Sequence, residues 1–254
     1  MKKRKAGIGI FVIVLIITAV RVKSMDSHRI SGRILAENIA GPGMMRLVEQ
    51  SMQARAQKTS VTEIAVKERK YPQAALTFDD GPDIRYTPLL LDGLKERNVR
   101  ASFFLLGEKV EQYPELVERM QKEGHLVGNH TYHHVQLNKL NETKAREEIL
   151  KTNNLIYETT GVYPLYLRPP FGAWKKNLEL CVEMLPVFWT IDTLDWKVQN
   201  TEKIVRTVQE QIEDGAIILM HDEYDTSVEA ALQVVDELKN QGYELVTVDQ
   251  LILP

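Results

Sequence analysis

Residues 71–254 of this 254-residue chain predict an α/β fold, a (β/α) barrel of about seven parallel strands. Three observations lead there. From Tyr71 onward, short apolar runs alternate with amphipathic stretches, and such alternation implies parallel strands joined by crossover helices. About seven such units in this length favour a barrel over an open sheet. Polar residues stand just after the predicted strands: Asp79 and Asp80, His130, Arg168, Asp192 and His221. In a parallel β/α architecture those strand ends converge on one face, where active sites are built.

The elements follow in order. AALTF (74–78) reads as a buried strand, and DDGPD after it as a turn. TPLLLDGLKERN (87–98) reads as a helix, with Thr87 as N-cap and Pro88 at the first position. ASFFLLG (101–107) is a second strand, and PELVERMQKEG (114–124) a helix that Gly124 ends. HLVGN (125–129) is a third strand, and ETKAREEILKTNNLIYETTG (142–161) a long helix ending at Gly161. LYLRPPFG, VFWTID, AIILMHD and ELVTVD each carry a strand-like core, with helical stretches at 201–214 and 227–241 between the last three.

The N-terminal part differs. MKKRK is cationic, and Ala6–Val20 is apolar and uncharged, followed by Arg21 and Lys23. No A-x-A cleavage site follows. Fifteen helical residues rise about 22 Å, short of the roughly 30 Å hydrocarbon core, and Arg21 and Lys23 can snorkel to cover the mismatch. The expectation is an uncleaved, single-pass signal-anchor at 1–23 with a cytoplasmic tip and an extracytoplasmic remainder. A cleaved signal would make the protein secreted. Residues 24–70 read as a stalk of unknown fold: GPG (41–43) breaks the chain, and Met44, Leu47, Val48 and Met52 have helical spacing.

Charge is divided unevenly. Residues 1–72 hold 14 Lys/Arg against 5 Asp/Glu, and residues 73–254 hold 18 against 30. The basic segment suits an anionic membrane surface or wall polymer. The acidic remainder argues against nucleic-acid binding. One cysteine, Cys181, excludes an intrachain disulfide and reads as a small core residue in the helical stretch LELCVEML.

Three of the six histidines crowd into GNHTYHHVQL (128–137). On a helical turn His130 and His134 share a face, so both rings can reach one ion; His130 with His133 is also geometrically possible. Two imidazoles and a carboxylate complete a catalytic zinc set, and Asp79 and Asp80 offer the carboxylate. The other aspartate can then act as general base towards a water that the metal acidifies. His221 is the candidate acid, with Asp192 or Asp195 as its carboxylate partner. RPPFG (168–172) is stiff, and the Phe171 N–H is the first free after its two prolines, available to an oxyanion. Arg168 can pair with an aspartate and hold its pKa down. Trp174 and Trp196 can stack on a sugar or plug the core.

TFDDGP (77–82), HTYHH (130–134), RPPFG (168–172), DTLDW (192–196) and LMH (219–221), in this order, resemble the polysaccharide deacetylases of the NodB-homology type, carbohydrate esterase family four. The likeness runs from Tyr71 to the C-terminus. It implies a distorted β/α barrel and a metal-dependent hydrolase that removes N-acetyl groups from a glycan. It further implies Asp79 as base, Asp80, His130 and His134 as ligands of zinc or another divalent ion such as cobalt, and Arg168 as the residue orienting the base. His221 would be the acid with Asp195 as its partner, the Phe171 N–H an oxyanion donor, and Trp196 and Leu219 the walls of an acetate pocket. His133 falls at a free position of the motif. With the anchor, N-acetylated amino sugars of peptidoglycan are the expected substrate. An O-acetyl esterase acting on xylan or a wall polymer, and a non-catalytic, membrane-tethered glycan-binding protein, are the alternatives.

Overall fold

The computed structural model describes residues 70–174 and 184–252. The expected anchor at 1–23, all but the last residue of the stalk, and Cys181 lie outside the described residues. Among the described residues no helix is long and apolar enough to cross a membrane.

Strands and helices alternate as follows: β1 (Gln73–Asp79), α1 (Thr87–Glu96), β2 (Ser102–Leu105), α2 (Gly107–Gln112), α3 (Pro114–Lys122), β3 (Leu126–Asn129), α4 (Glu142–Thr160), β4 (Tyr166–Leu167), β5 (Leu185–Pro186), β6 (Ile191–Asp192), α5 (Asp195–Val198), α6 (Thr201–Gln211), β7 (Ala216–His221), α7 (Asp225–Asn240), β8 (Glu244–Leu245) and α8 (Val248–Ile252). The sheet order is β5-β4-β3-β2-β1-β7-β6, with β8 paired to the start of β1. Every pairing is parallel. The end strands β5 and β6 do not pair with each other, so the strands form a half-barrel rather than a closed one.

Side chains alternate across each strand. Ala74, Leu76 and Phe78 of β1 join the large core that holds Leu90, Leu91 and Leu94 of α1. Ala75 belongs to a smaller core with Phe104, Tyr166, Val187 and Val246. Thr77 and Asp79 share the Ala75 face by the same alternation, so β1 carries a polar upper end into the smaller core's side of the sheet. Gly128 of β3 has no side chain for a packing reason: a Cβ there would lie 2.7 Å from the Phe104 ring.

Three local expectations are corrected and one element had been missed. Thr87 is the first residue of α1 and not its cap, which is Tyr86. The Thr87 hydroxyl accepts from the Asp83 N–H at 2.7 Å and donates to the Asp222 carboxylate, so it serves tertiary structure. Helix α2 was not anticipated: six residues with one buried apolar side chain, Val110, show no periodicity. VFWTID forms a ladder only at Ile191–Asp192. The carbonyls of Val187 and Phe188 instead face the Arg168 guanidinium, at 3.4 and 3.5 Å. Finally, HTYHH is a loop and not a helical turn, with left-handed backbone at Thr131 (φ 67°) and His134 (φ 54°).

Candidate active site

Asp79 ends β1 and is buried. Its Oδ1 accepts from Arg168 Nη1 at 2.7 Å, and the same nitrogen donates to Thr77 Oγ1 at 2.7 Å. Arg168 follows β4 and is fully buried, its guanidinium 4.2 Å from the Phe104 ring centroid. A buried cation in this setting needs a carboxylate, several hydrogen bonds and a ring face, and it has all three. Arg168 acts as expected of a cation paired with an aspartate, lowering the Asp79 pKa, but it is not the larger influence. Burial penalises the carboxylate more than Arg168 favours it, and the Asp79 pKa is raised.

Asp80 takes a left-handed backbone (φ 69°) immediately after the strand. Its Oδ1 lies 3.4 Å from His130 Nε2 and 3.5 Å from His134 Nε2. That oxygen is buried and has no hydrogen-bond partner. His130 Nδ1 lies 2.7 Å from the Arg168 carbonyl oxygen. A carbonyl only accepts, so Nδ1 carries the hydrogen and Nε2 keeps its lone pair. Burial lowers the His130 pKa to about 3, so the ring is neutral.

These features fit a divalent cation. Asp80, His130 and His134 bring one donor atom each within 4.8 Å of one another. Bonds of about 2.0–2.2 Å in a tetrahedral site place neighbouring ligand atoms roughly 3.3–3.6 Å apart. The buried Asp80 oxygen without a hydrogen bond is the group such an ion would satisfy. His133 is not part of the cluster: its Nδ1 lies 2.8 Å from Glu148 Oε1.

Across the sheet, β1 and β7 run in register so that His221 is beside Asp79. Asp195 grips His221 twice. Its Oδ1 is 2.8 Å from His221 Nδ1, and its Oδ2 accepts from the His221 N–H at 2.8 Å. Burial works to lower the His221 pKa, but Asp195, with Asp79 and Asp80 adding to it, outweighs burial and raises it to about 9. Burial would raise the Asp195 pKa, but the hydrogen bonds from His221 and the charge of its ring bring it below the usual value. Of the two aspartates left open by the sequence, Asp195 is the partner. Asp192 instead accepts from the Leu194 N–H at 3.0 Å.

Phe171 has left-handed backbone (φ 60°), and its N–H meets no acceptor among the described residues. Its side chain is 66% exposed, 4.6 Å from the His134 ring. Leu219 is buried on β7, and its carbonyl accepts from Thr193 Oγ1 at 2.8 Å. Trp196, beside Asp195, is 49% exposed, whereas Trp174 packs against the cluster around Leu137 and Leu167. The polar residues named at strand ends thus come together, apart from Asp192.

Two acids went unnoticed in the sequence, one fully buried and one partly buried. Asp222 follows His221, is fully buried, and accepts from Thr87. A Cβ on Gly81 would lie 2.5 Å from its Oδ1, so Gly81 is the residue that lets the DDGP loop pass over this carboxylate. Glu148 lies mid-helix in α4, with no motif to mark it; helix spacing is its one signal, placing it four residues before buried Thr152.

The polysaccharide deacetylase family model matches residues 67–188. The chain is 42% identical over 185 residues to the peptidoglycan-N-acetylglucosamine deacetylase PgdA of Listeria monocytogenes, covering 73% of this chain and 40% of that protein. It is 40% identical over 186 residues to a peptidoglycan-N-acetylglucosamine deacetylase of Bacillus cereus, covering 70% and 68%. To the peptidoglycan-N-acetylmuramic acid deacetylase PdaC of Bacillus subtilis it is 44% identical over 177 residues, covering 70% and 38%. The solved PdaC structure superposes with a TM-score of 0.70 at 42% identity, covering 72% of this chain and 90% of that one. The match therefore spans about two fifths of the full Listeria and Bacillus subtilis proteins.

Proposed function

The chain belongs to the polysaccharide deacetylase family, and on that premise we propose that it removes N-acetyl groups from amino sugars of peptidoglycan in a reaction that depends on a divalent metal ion, zinc by its ligand set. One observation carries the chemistry. A buried carboxylate tied to Arg168 and an imidazole tied to Asp195 stand beside Asp80, whose buried Oδ1 has no hydrogen-bond partner and faces the Nε2 atoms of His130 and His134.

Asp80, His130 and His134 would hold the ion. When bound, it supplies Lewis acidity, polarising the acetamide carbonyl and acidifying water. The chain's own residues do the rest. Arg168 occupies Asp79 Oδ1, leaving Oδ2 to take the proton of the attacking water. The raised pKa of Asp79 strengthens it as a proton acceptor. His221 donates Nδ1–H to Asp195, so its transferable proton sits on Nε2. That proton goes to the amine nitrogen as the C–N bond breaks, leaving acetate and a free amine. The Phe171 N–H is a donor available to the oxyanion, and Trp196 and Leu219 would wall the acetyl group. The cationic and apolar N-terminus supports a membrane-tethered, extracytoplasmic enzyme.

The test is acetate release by the full chain from peptidoglycan, chitooligosaccharides and acetylxylan, with mass spectrometry of the glycans. Peptidoglycan should lose acetyl groups from its amino sugars. Asp80→Ala should abolish both tight metal binding and acetate release. Full activity in metal-depleted buffer, or acetate from acetylxylan alone, would sink the proposal.

A further inference from the structure

His130 and His134 are held by different means. His130 directly follows β3, and its N–H donates to the Leu105 carbonyl at 2.9 Å. His134 comes four residues later, on a loop with two left-handed residues and with about a third of its side chain exposed. Something must fix that loop if His134 is to meet Asp80.

The Gly107 and Glu108 N–H groups donate to the Thr131 and Tyr132 carbonyls, and Thr131 Oγ1 accepts from the Val135 N–H at 3.2 Å. Helix α4 contributes no ligand, yet it supplies further fixing groups, directed at the N–H groups just before His134. Glu148 Oε2 accepts from two consecutive backbone N–H groups, Tyr132 at 3.0 Å and His133 at 2.9 Å. Its Oε1 lies 2.8 Å from His133 Nδ1. One turn on, buried Asn153 accepts from Asn129 Nδ2 at 2.6 Å, and Asn129 Oδ1 accepts from the Thr131 N–H at 2.7 Å. Successive N–H groups that converge on one acceptor define the backbone between them, because a single oxygen can meet both only in one local conformation. The residue after that pair is His134.

We propose that Glu148 is a positioning residue for the metal site: by accepting from the Tyr132 and His133 N–H groups it sets the loop that presents His134 to the ion. This rests on the reading of Asp80, His130 and His134 as ligands. The active feature is an acceptor at the right reach, and the negative charge is incidental. A glutamine carbonyl has two lone pairs and the same reach, so it can accept from both N–H groups. An aspartate keeps the charge and is one methylene too short. His133 is one of the groups Glu148 holds and is not needed for the backbone grip.

The experiment measures Zn²⁺ affinity of the full chain by competition with a chelator, together with the visible spectrum of the Co²⁺-loaded protein. Glu148→Ala and Glu148→Asp should weaken Zn²⁺ binding about 10- to 100-fold and change the Co²⁺ bands, the range for loss of an outer partner of a metal ligand. Glu148→Gln and His133→Ala should match the wild type in both readouts. If Glu148→Ala does not fold, the contrast between the Asp and Gln variants decides. Wild-type affinity and spectrum in Glu148→Asp would overturn the proposal, as would a Glu148→Gln variant as weak as Glu148→Asp. A wild-type chain that binds no Zn²⁺ would instead bring down the ligand reading itself, and this inference with it.

Discussion

The strand-borne half of the site and its loop-borne half are built on opposite terms. Asp79, His130, Arg168 and His221 stand on the last residue of a strand or the next one, so the sheet register sets them within about one residue's freedom. His134 stands on a loop held by side-chain acceptors, Glu148 on another element and Thr131 within the loop, and by backbone bonds from α2. The first half is placed by ladders that must form anyway, whereas the second needs dedicated polar groups. Interference with the first half should therefore disturb chemistry and fold together, and interference with the second should disturb the site alone.

The largest expected effect comes from the strand-borne base. Asp79→Asn should lower the rate of acetate release about 10²- to 10⁴-fold, the range for losing a general base, with metal affinity kept. Loss of metal in that variant would break the division of labour between Asp79 and Asp80. The two histidines give the sharpest contrast. His130→Ala and His134→Ala should both abolish tight metal binding. Only His130→Ala leaves the buried Arg168 carbonyl without its donor, a loss of about 1–3 kcal/mol, so its metal-free melting temperature should fall by several degrees. His134→Ala should melt close to the wild type, and equal melting losses would erase the contrast.

A pH profile tests the far side of the cleft. With its pKa raised to about 9, His221 is protonated at neutral pH, and activity that needs its proton should decline as pH passes about 9. Asp195→Asn removes the carboxylate responsible, so the alkaline limb of kcat/KM should move towards neutrality. The smallest effect on activity concerns Asp222, whose pKa burial raises to about 7. An acid whose folded pKa exceeds its unfolded one stabilises most below the unfolded value and loses that contribution as pH rises through the folded one. Wild-type stability should thus decline from about pH 4 to about pH 7 on account of this group. Asp222→Asn should flatten that portion, as read by denaturant melts across the interval.

Much of the strand-borne half was legible in the sequence because strand ends in a β/α fold are convergent by construction, and DDGP, HTYHH, RPPFG and LMH each mark one. The residues alone left the partner of His221 as one of two options, since both DTLDW aspartates lie near the strand end, and the resemblance singled out Asp195. The loop-borne half was less legible. The His130–His134 spacing suggested a helical turn, and the backbone instead relies on φ values that the sequence does not announce. Glu148 looked like any exposed-face acid of an amphipathic helix. The net sign of the Asp79 shift was not legible because the sequence shows the pairing with Arg168 and not how completely both are buried. The break in VFWTID was invisible for a related reason: a guanidinium from another strand takes its carbonyls.

Arg168 has one consequence that single substitutions will misreport. Its guanidinium binds Asp79 and its carbonyl accepts from the ring of His130, so one residue is shared by the groups assigned as base and ligand. Effects of paired substitutions at 79 and 130 should therefore not add, since residues that share a partner show interaction energies of about 0.5–3 kcal/mol in double-mutant cycles. The base and the ligand are best regarded as one cooperative unit with Arg168 as its common member, and measured free energies belong to that unit and not to either residue.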